Sequence, residues 1–455
     1  MSAAPLAFAT ATAAFQVEGS LDADGRGPSI WDTFCAQPGR IEDGTDGSVT
    51  CDSYRRWEED LDLVAGLGAD GYRFSLSWPR VQPDGRGIEP RGLDHYDRVV
   101  DGLLARGLDA HVTLYHWDLP QTLQDAGGWP SRDTALRVAE YAGIVAEHLG
   151  DRVAGWATLN EPWVSAFLGH AAGIHAPGHT DPDEAFRAAH HLLLAHALGA
   201  EAVRAAMPGD VRADVGIVLN LTSVIVEEDS VADVAARVDA QHNDLWLTAL
   251  RDGRYPDLVV ETGPVLGDPS VVRPMDLAQI RGSAEWLGVN YYSPMRIAHP
   301  GSDVGGPGQE PEAFPGVGSF SPAPRPPLTT MGWEVDPSGL AALLDRLHAW
   351  DPSMPLHVTE NGVACPDDVR RDDGTVDDPD RIDYLRRHLA VVDDARHRGI
   401  DLHTYTVWSL LDNFEWARGL AKTFGVVEVD RQTQDRRPKA SYEWLRAEIA
   451  RRRAP

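Results

Sequence analysis

VAGWATLNEPW, residues 153–163, is an apolar run that ends on a carboxylate set between an amide and a proline. The run up to Asn160 reads as a core strand, yet a strand buried in a core has no use for Glu161 at its end. Seven more short apolar runs recur along the chain, at about 7–16, 69–78, 108–117, 214–220, 286–292, 355–361 and 401–411. Between them lie amphipathic stretches at 53–67, 131–149, 183–206, 233–251, 338–349 and 380–398, and a last one at 438–452. In the first of these Leu61, Val64, Ala65 and Leu67 recur at helical spacing, with most charged side chains on the other face. Strands that alternate with helices, with no run of hairpins, imply a parallel sheet. Eight repeats favour closure into a (β/α)8 barrel, a TIM barrel, over an open doubly wound sheet, and no G-x-G-x-x-G follows the first strand. The Pro/Gly-rich stretch 293–325 could be an interdomain linker. The alternation resumes directly after it, so it reads as an enlarged βα loop on the C-terminal face of one domain spanning 1–455.

In such a barrel the carboxyl ends of the strands converge on one rim. Those ends carry Gln16, His116 with Trp117 and Asp118, Asn160 with Glu161, Asn290 with Tyr291 and Tyr292, Glu360 with Asn361, and Trp408. A lone glutamate at a strand end is most often a helix N-terminal charge or a salt-bridge partner. Two of them, each beside an asparagine and far apart in sequence, point instead to a pair brought together by closure. Paired carboxylates in opposite protonation states are what glycosidic bond cleavage needs. Tryptophan and amide side chains suit a sugar, which offers an apolar C–H face and a ring of hydroxyls.

Composition narrows the alternatives. The formal charge is −29, the wrong sign for a nucleic-acid surface. No run of eighteen apolar residues is present, so no membrane span is expected. The start lacks a basic n-region and reads as a first strand, not a secretory signal. Three cysteines without a CxxC cluster suggest neither a disulfide framework nor a zinc site, and fit a reducing, cytoplasmic location. His190, His191 and His196 lack the spacing of a zincin motif and read as helix residues. GHTDPDE at 178–184 reads as a helix cap and first turn, not a calcium loop.

The blocks ATAAFQVEG, YRFSLSWPR, YHWDLPQTL, TLNEPW, HAPG, HHLLLAHA, LGVNYYSP, MGWEVDP, HVTENG and WSLLDNFEWARG, in this order, resemble glycoside hydrolase family 1, the β-glucosidase family, over about residues 7–446. The resemblance implies a metal-free, cofactor-free barrel acting on small-molecule β-glycosides, cello-oligosaccharides among them, with retention of configuration. Position by position, Glu161 resembles the acid/base and Glu360 the nucleophile. Gln16, His116, Asn160, Glu415 and Trp416 resemble the hydroxyl-binding set, and Trp408 the stacking platform. Tyr292 and Arg73 resemble the groups that hold and ionise the nucleophile. Asn290 resembles a further polar wall, Trp117 a pocket wall, and Trp333 the aromatic at the aglycone entrance. Arg418-Gly419-Leu420 departs from the family's usual Glu-Gly-Tyr, beyond the expected glycone contacts. Retention of both glutamates argues against a binding protein on an inactive barrel, and Glu161 against a thioglucosidase. The Glu415 carboxylate argues against a 6-phosphoglycosidase, because it would repel the phosphate. Transfer to an alcohol in place of water shares every catalytic residue and stays open.

Overall fold

The computed structural model describes residues 5–207, 209, 214–301 and 305–454. Eight parallel strands close into a barrel: β1 (Ala7–Thr12), β2 (Gly71–Ser75), β3 (Asp109–Tyr115), β4 (Gly155–Asn160), β5 (Asp214–Leu219), β6 (Leu287–Asn290), β7 (Leu356–Asn361) and β8 (Leu402–Trp408). Closure runs through β1 against β8, with Ala7 opposite Thr404 and Ala11 opposite Trp408. All eight expected strands are there. They are almost continuously buried, as strands with helices outside and a packed interior must be.

Helices follow the strands where periodicity placed them, including Ser53–Leu67, Arg132–Leu149, Pro182–Ala206, Pro337–Trp350, Pro379–His397 and Ala440–Arg453. GHTDPDE forms the cap and first turn of one of them: the Asp181 carboxylate accepts from the Asp183 and Glu184 amides. Three details differ from the sequence reading. First, β1 stops at Thr12, and Gln16 sits not at a strand end but on a short helix, Ala14–Val17. Second, a helix absent from that reading, Pro90–Ala105, buries Leu93, Tyr96, Val99, Val100 and Leu103. Its stripe was masked by Gly92 and His95 on the same face and by the Gly/Pro-rich lead-in before it. Third, the expected helix 233–251 is two helices, Ala232–Asp239 and Leu245–Asp252, joined by a wide turn at Ala240–Asp244. That turn points Asn243 inward to pair with the backbone of Thr222 at the barrel rim.

The stretch 293–325 leaves the end of β6 and is a loop of the rim, its residues 302–304 lying outside the described set. It contributes Met295–Ala298 and Ser321–Pro322 to a small sheet with Val224–Val226. Pairing is irregular where the rim begins. The β4–β5 register shifts between Ala157 and Asn160, and the β6–β7 register between Val358 and Glu360. Such irregularities re-aim side chains, and here they fall beside the two glutamates.

Candidate active site

A cavity of about 430 Å³ opens at the carboxyl ends of the strands, within the size range of small-ligand pockets. Glu161 and Glu360 both line it. The Arg73 guanidinium, from β2, reaches across the barrel floor. One nitrogen donates to Glu360 Oε1 at 2.6 Å and the other to Asn160 Oδ1 at 2.7 Å. The Tyr292 hydroxyl donates to the other Glu360 oxygen at 2.6 Å. Asn290 ties the second glutamate into the same network, its amide nitrogen lying 2.7 Å from Glu161 Oε1 and 3.1 Å from Asn160 Oδ1. Thr359 fixes that amide by donating to Asn290 Oδ1 at 2.7 Å.

The two carboxyls are thereby made unequal. Burial first, and the nearby Glu360 charge second, hold Glu161 well above the ordinary carboxylate range. Burial also raises Glu360, but the Arg73 charge and then the Tyr292 hydroxyl pull it back. The pair therefore gives up its first proton from Glu360 and keeps the second on Glu161. The backbone at Glu161 is left-handed, with φ 46°, as it is at Trp117 (77°) and Trp416 (47°). Left-handed conformations in bulky residues cost about 1–3 kcal/mol each and persist where surrounding packing imposes them, as at functional sites.

The wall is aromatic and polar. The Asn160 Oδ1 already accepts from Arg73 and Asn290, so its amide nitrogen must face His116 Nε2, 3.0 Å away. Burial and then Arg73 keep His116 well below its usual pKa, hence neutral. Nε2 thus accepts, and the ring proton resides on Nδ1. His116 stacks between Trp408 and Trp416, with ring centres 5.9 Å from each. Trp117 packs on Trp416 and donates its indole N–H to the Asn160 carbonyl. Trp333 faces Tyr292 and Phe424 and is pinned by its N–H to Pro307 on the rim loop.

Glu415 is half-buried on the wall, its shielded Oε2 lacking a hydrogen-bond partner among the described residues. Burial, then the Glu360 charge, push its carboxyl up to about 8. Its repulsion of a 6-phosphate, expected from the sequence as a standing charge, instead develops only as pH rises through that value. Gln16 is fully buried behind this wall, its amide nitrogen bonded to the Phe414 carbonyl and Asn413 Oδ1. Gln16 and Arg73 are the expected site residues that do not line the cavity itself; Arg73 lies beneath its floor and acts on two groups that do.

Several groups were not anticipated. Thr113 and Thr359 brace Arg73 and Asn290, and Asn413 braces Gln16. Arg40, Glu42, Glu310 and Arg418 ring the mouth, where Arg418 pairs with Glu42 at 3.0 Å. The departure at 418 was the one sequence signal for that ring. His190, His191 and His196 are buried helix residues, bonded to Asp276 and Tyr255, to the Trp129 carbonyl and to Thr158 respectively. Among the described residues, no three His, Cys, Asp or Glu donors of the cavity gather closely enough to share a metal ion.

Known proteins are similar to this chain over the full barrel. A β-glucosidase of Agrobacterium sp. is 45% identical over 448 residues, covering 97% of this chain and 93% of that protein. A bifunctional β-D-glucosidase/β-D-fucosidase of Bifidobacterium breve is 46% identical, covering 97% of each. The structure of the Thermotoga maritima β-glucosidase in complex with azafagomine superposes with a TM-score of 0.90 at 39% identity, over 99% of both chains. The model of glycosyl hydrolase family 1 matches residues 4–454, and the chain belongs to that family.

Proposed function

We propose that the protein is a retaining β-glucosidase that releases terminal β-glucosyl residues by double displacement, with Glu161 as acid/base and Glu360 as nucleophile. The observation that carries this reading is the asymmetry of the two carboxyls: Arg73 and Tyr292 hold Glu360 toward the ionised form, while burial keeps the proton on Glu161. Glu161 protonates the departing glycosidic oxygen as Glu360 attacks the anomeric carbon. The bond to the aglycone breaks and an ester to Glu360 forms. Consumption of the Glu360 charge removes the repulsion that raised Glu161, so Glu161, now a carboxylate, takes a proton from water as that water cleaves the ester.

The remaining wall binds the sugar. Asn160 lies beside the 2-hydroxyl, and the His116 Nδ1–H and the unpartnered Glu415 oxygen meet hydroxyls on the far side of the ring. Trp408 supplies the stacking face, Trp416 and Trp117 close the pocket, and Trp333 lies at the aglycone side. Gln16 completes the grip from behind. The fucosidase activity in the name of the Bifidobacterium relative supports acceptance of a sugar lacking the 6-hydroxyl. The apolar outer lining of Leu221, Met295 and Phe424 suits an organic alcohol, so transfer competes with hydrolysis when one is supplied. Cello-oligosaccharides are the substrates proposed, in the degradation of cellulose fragments. Three free cysteines support a cytoplasmic setting. Trapping tests the central assignment. A 2-deoxy-2-fluoro-β-glucoside with a good leaving group should leave one sugar on the peptide that contains Glu360. A label on any other carboxylate refutes the nucleophile.

A further inference from the structure

The segment between Glu161 and the helix Pro182–Ala206 folds back on itself before it enters that helix. The His179 amide donates to the Gly169 carbonyl and the Asp181 amide to the His170 carbonyl. The turn of this fold, at Gly173, Ile174 and His175, lines the cavity. At its base, three side chains meet that no part of the proposed reaction uses. His170 Nδ1 lies 3.2 Å and His179 Nδ1 2.6 Å from the same oxygen of Glu184. The two rings stand edge to face with centres 5.2 Å apart, and all three donor atoms lie within 4.8 Å of one another.

We infer that His170, His179 and Glu184 form a binding site for a borderline divalent transition ion of the Zn2+ class, which clamps the base of this pocket-lining loop. Two imidazole nitrogens and one carboxylate oxygen are a zinc donor set, and the mixed N/O character disfavours Mg2+ and Ca2+. Bonds of about 2.0–2.1 Å at tetrahedral angles place donors roughly 3.3 Å apart. The two nitrogen–oxygen separations seen here need to widen by less than about 1 Å to meet that, by the same bond lengths. The ring of His179 is 43% exposed and free to supply the movement and the entry path. Glu184 is already directed at the site by its bonds to both imidazoles. The Nδ1 atom of His170 faces Glu184 and His179 and is the atom that would ligate. Its second ring nitrogen is buried without a partner among the described residues. The site therefore lacks the outer hydrogen bond that strengthens a metal-bound imidazole, which suits reversible binding more than a permanent structural ion. With three protein ligands, water fills the fourth position.

The test is titration of the chelator-treated full chain with Zn2+, read by calorimetry, together with the visible spectrum of a Co2+-substituted sample. One equivalent should bind with the intense visible bands of four-coordinate Co2+, and Zn2+ should raise the thermal midpoint. His179→Ala, an exposed change that leaves the helix cap intact, should remove that equivalent, its spectrum and the thermal shift. Glu184→Gln, which removes the one charged ligand, should weaken binding by at least about tenfold, the least that loss of even an outer partner costs. His299→Ala, at an exposed histidine elsewhere, should change none of the three. If the parent takes up no such equivalent, or if His179→Ala binds as the parent does, the site does not exist.

Discussion

Removal of the Tyr292 hydroxyl isolates the force that keeps the proposed nucleophile ionised. In Tyr292→Phe the ring and its packing on Trp333 and Phe424 remain, while the 2.6 Å donor to Glu360 Oε2 is gone. A hydrogen bond to a charged acceptor is worth about 1.5–3 kcal/mol. Each 1.36 kcal/mol of preference for the ionised form is one pH unit. Arg73 still donates to the other oxygen, which leaves the lower end of the range, so Glu360 should ionise about one to two pH units later. The sign follows from the ionised form being the one that reacts: activity rises as pH climbs through the Glu360 ionisation and falls as pH climbs through that of Glu161. The assay is kcat/KM for nitrophenyl β-glucoside against pH, which reports the free enzyme. The acidic limb should move up by that interval and the bell should narrow. The height of the plateau is a poorer guide, because the same donor weakens its hold as Glu360 loses charge during attack. A variant whose acidic limb stays in place, or whose alkaline limb alone moves, refutes the assignment of Tyr292 and Glu360 to these roles.

Glu360→Ala should abolish turnover, and azide or formate should restore it with inverted product, since the cavity left behind admits a small anion; near-normal activity without rescue would reverse the assignment. Glu161→Gln should slow cellobiose far more than an aryl glucoside with a good leaving group, and azide should speed the aryl reaction by replacing the lost base; equal loss on both substrates, with no azide effect, counts against it. Glu415→Ala should cost at least about tenfold in kcat/KM for β-glucosides, the equivalent of a hydroxyl left unpaired in the pocket, and less for β-fucosides, which lack the 6-hydroxyl; equal losses mean that Glu415 does not hold O6. Lys439→Ala should destabilise the fold by about 3–5 kcal/mol in denaturant titration, because Lys439 lies fully buried between Asp367 and Asp412 and its removal leaves the buried Asp412 carboxylate without a cation, while Arg381 still pairs with Asp367; a loss within error would show water reaching the network.

The barrel was legible because each of its repeats carries its own signal. A short apolar run reads as a buried strand without any knowledge of its neighbours, and the helix between two runs follows from the crossover that parallel pairing demands. Pro90–Ala105 escaped because Gly92 and His95 interrupt its apolar stripe, and the break near Ala240 because helical periodicity does not register one extra residue per turn. The carboxylates were legible for the same local reason: Glu161 and Glu360 end apolar strands, where a charge stands out. Their proposed division into acid and nucleophile is less local. It depends on Arg73 of β2 reaching both Asn160 on β4 and Glu360 on β7, two and three strands around the barrel, on Thr359 turning the Asn290 amide, and on Asn160 being left with one free face for His116. Threonine inside a strand is ordinary, and neither Thr113 nor Thr359 announces that its hydroxyl will meet a guanidinium or an amide. Such pairings arise only once closure sets β2, β3, β4, β6 and β7 around one floor. The two candidate carboxylates can be found by where the sequence places charge against its hydrophobic pattern. The roles of Arg73 and Tyr292, which set the charge of Glu360, were reached by family resemblance and not by pattern, and the threonines that brace the network by neither, because convergence has no one-dimensional signature.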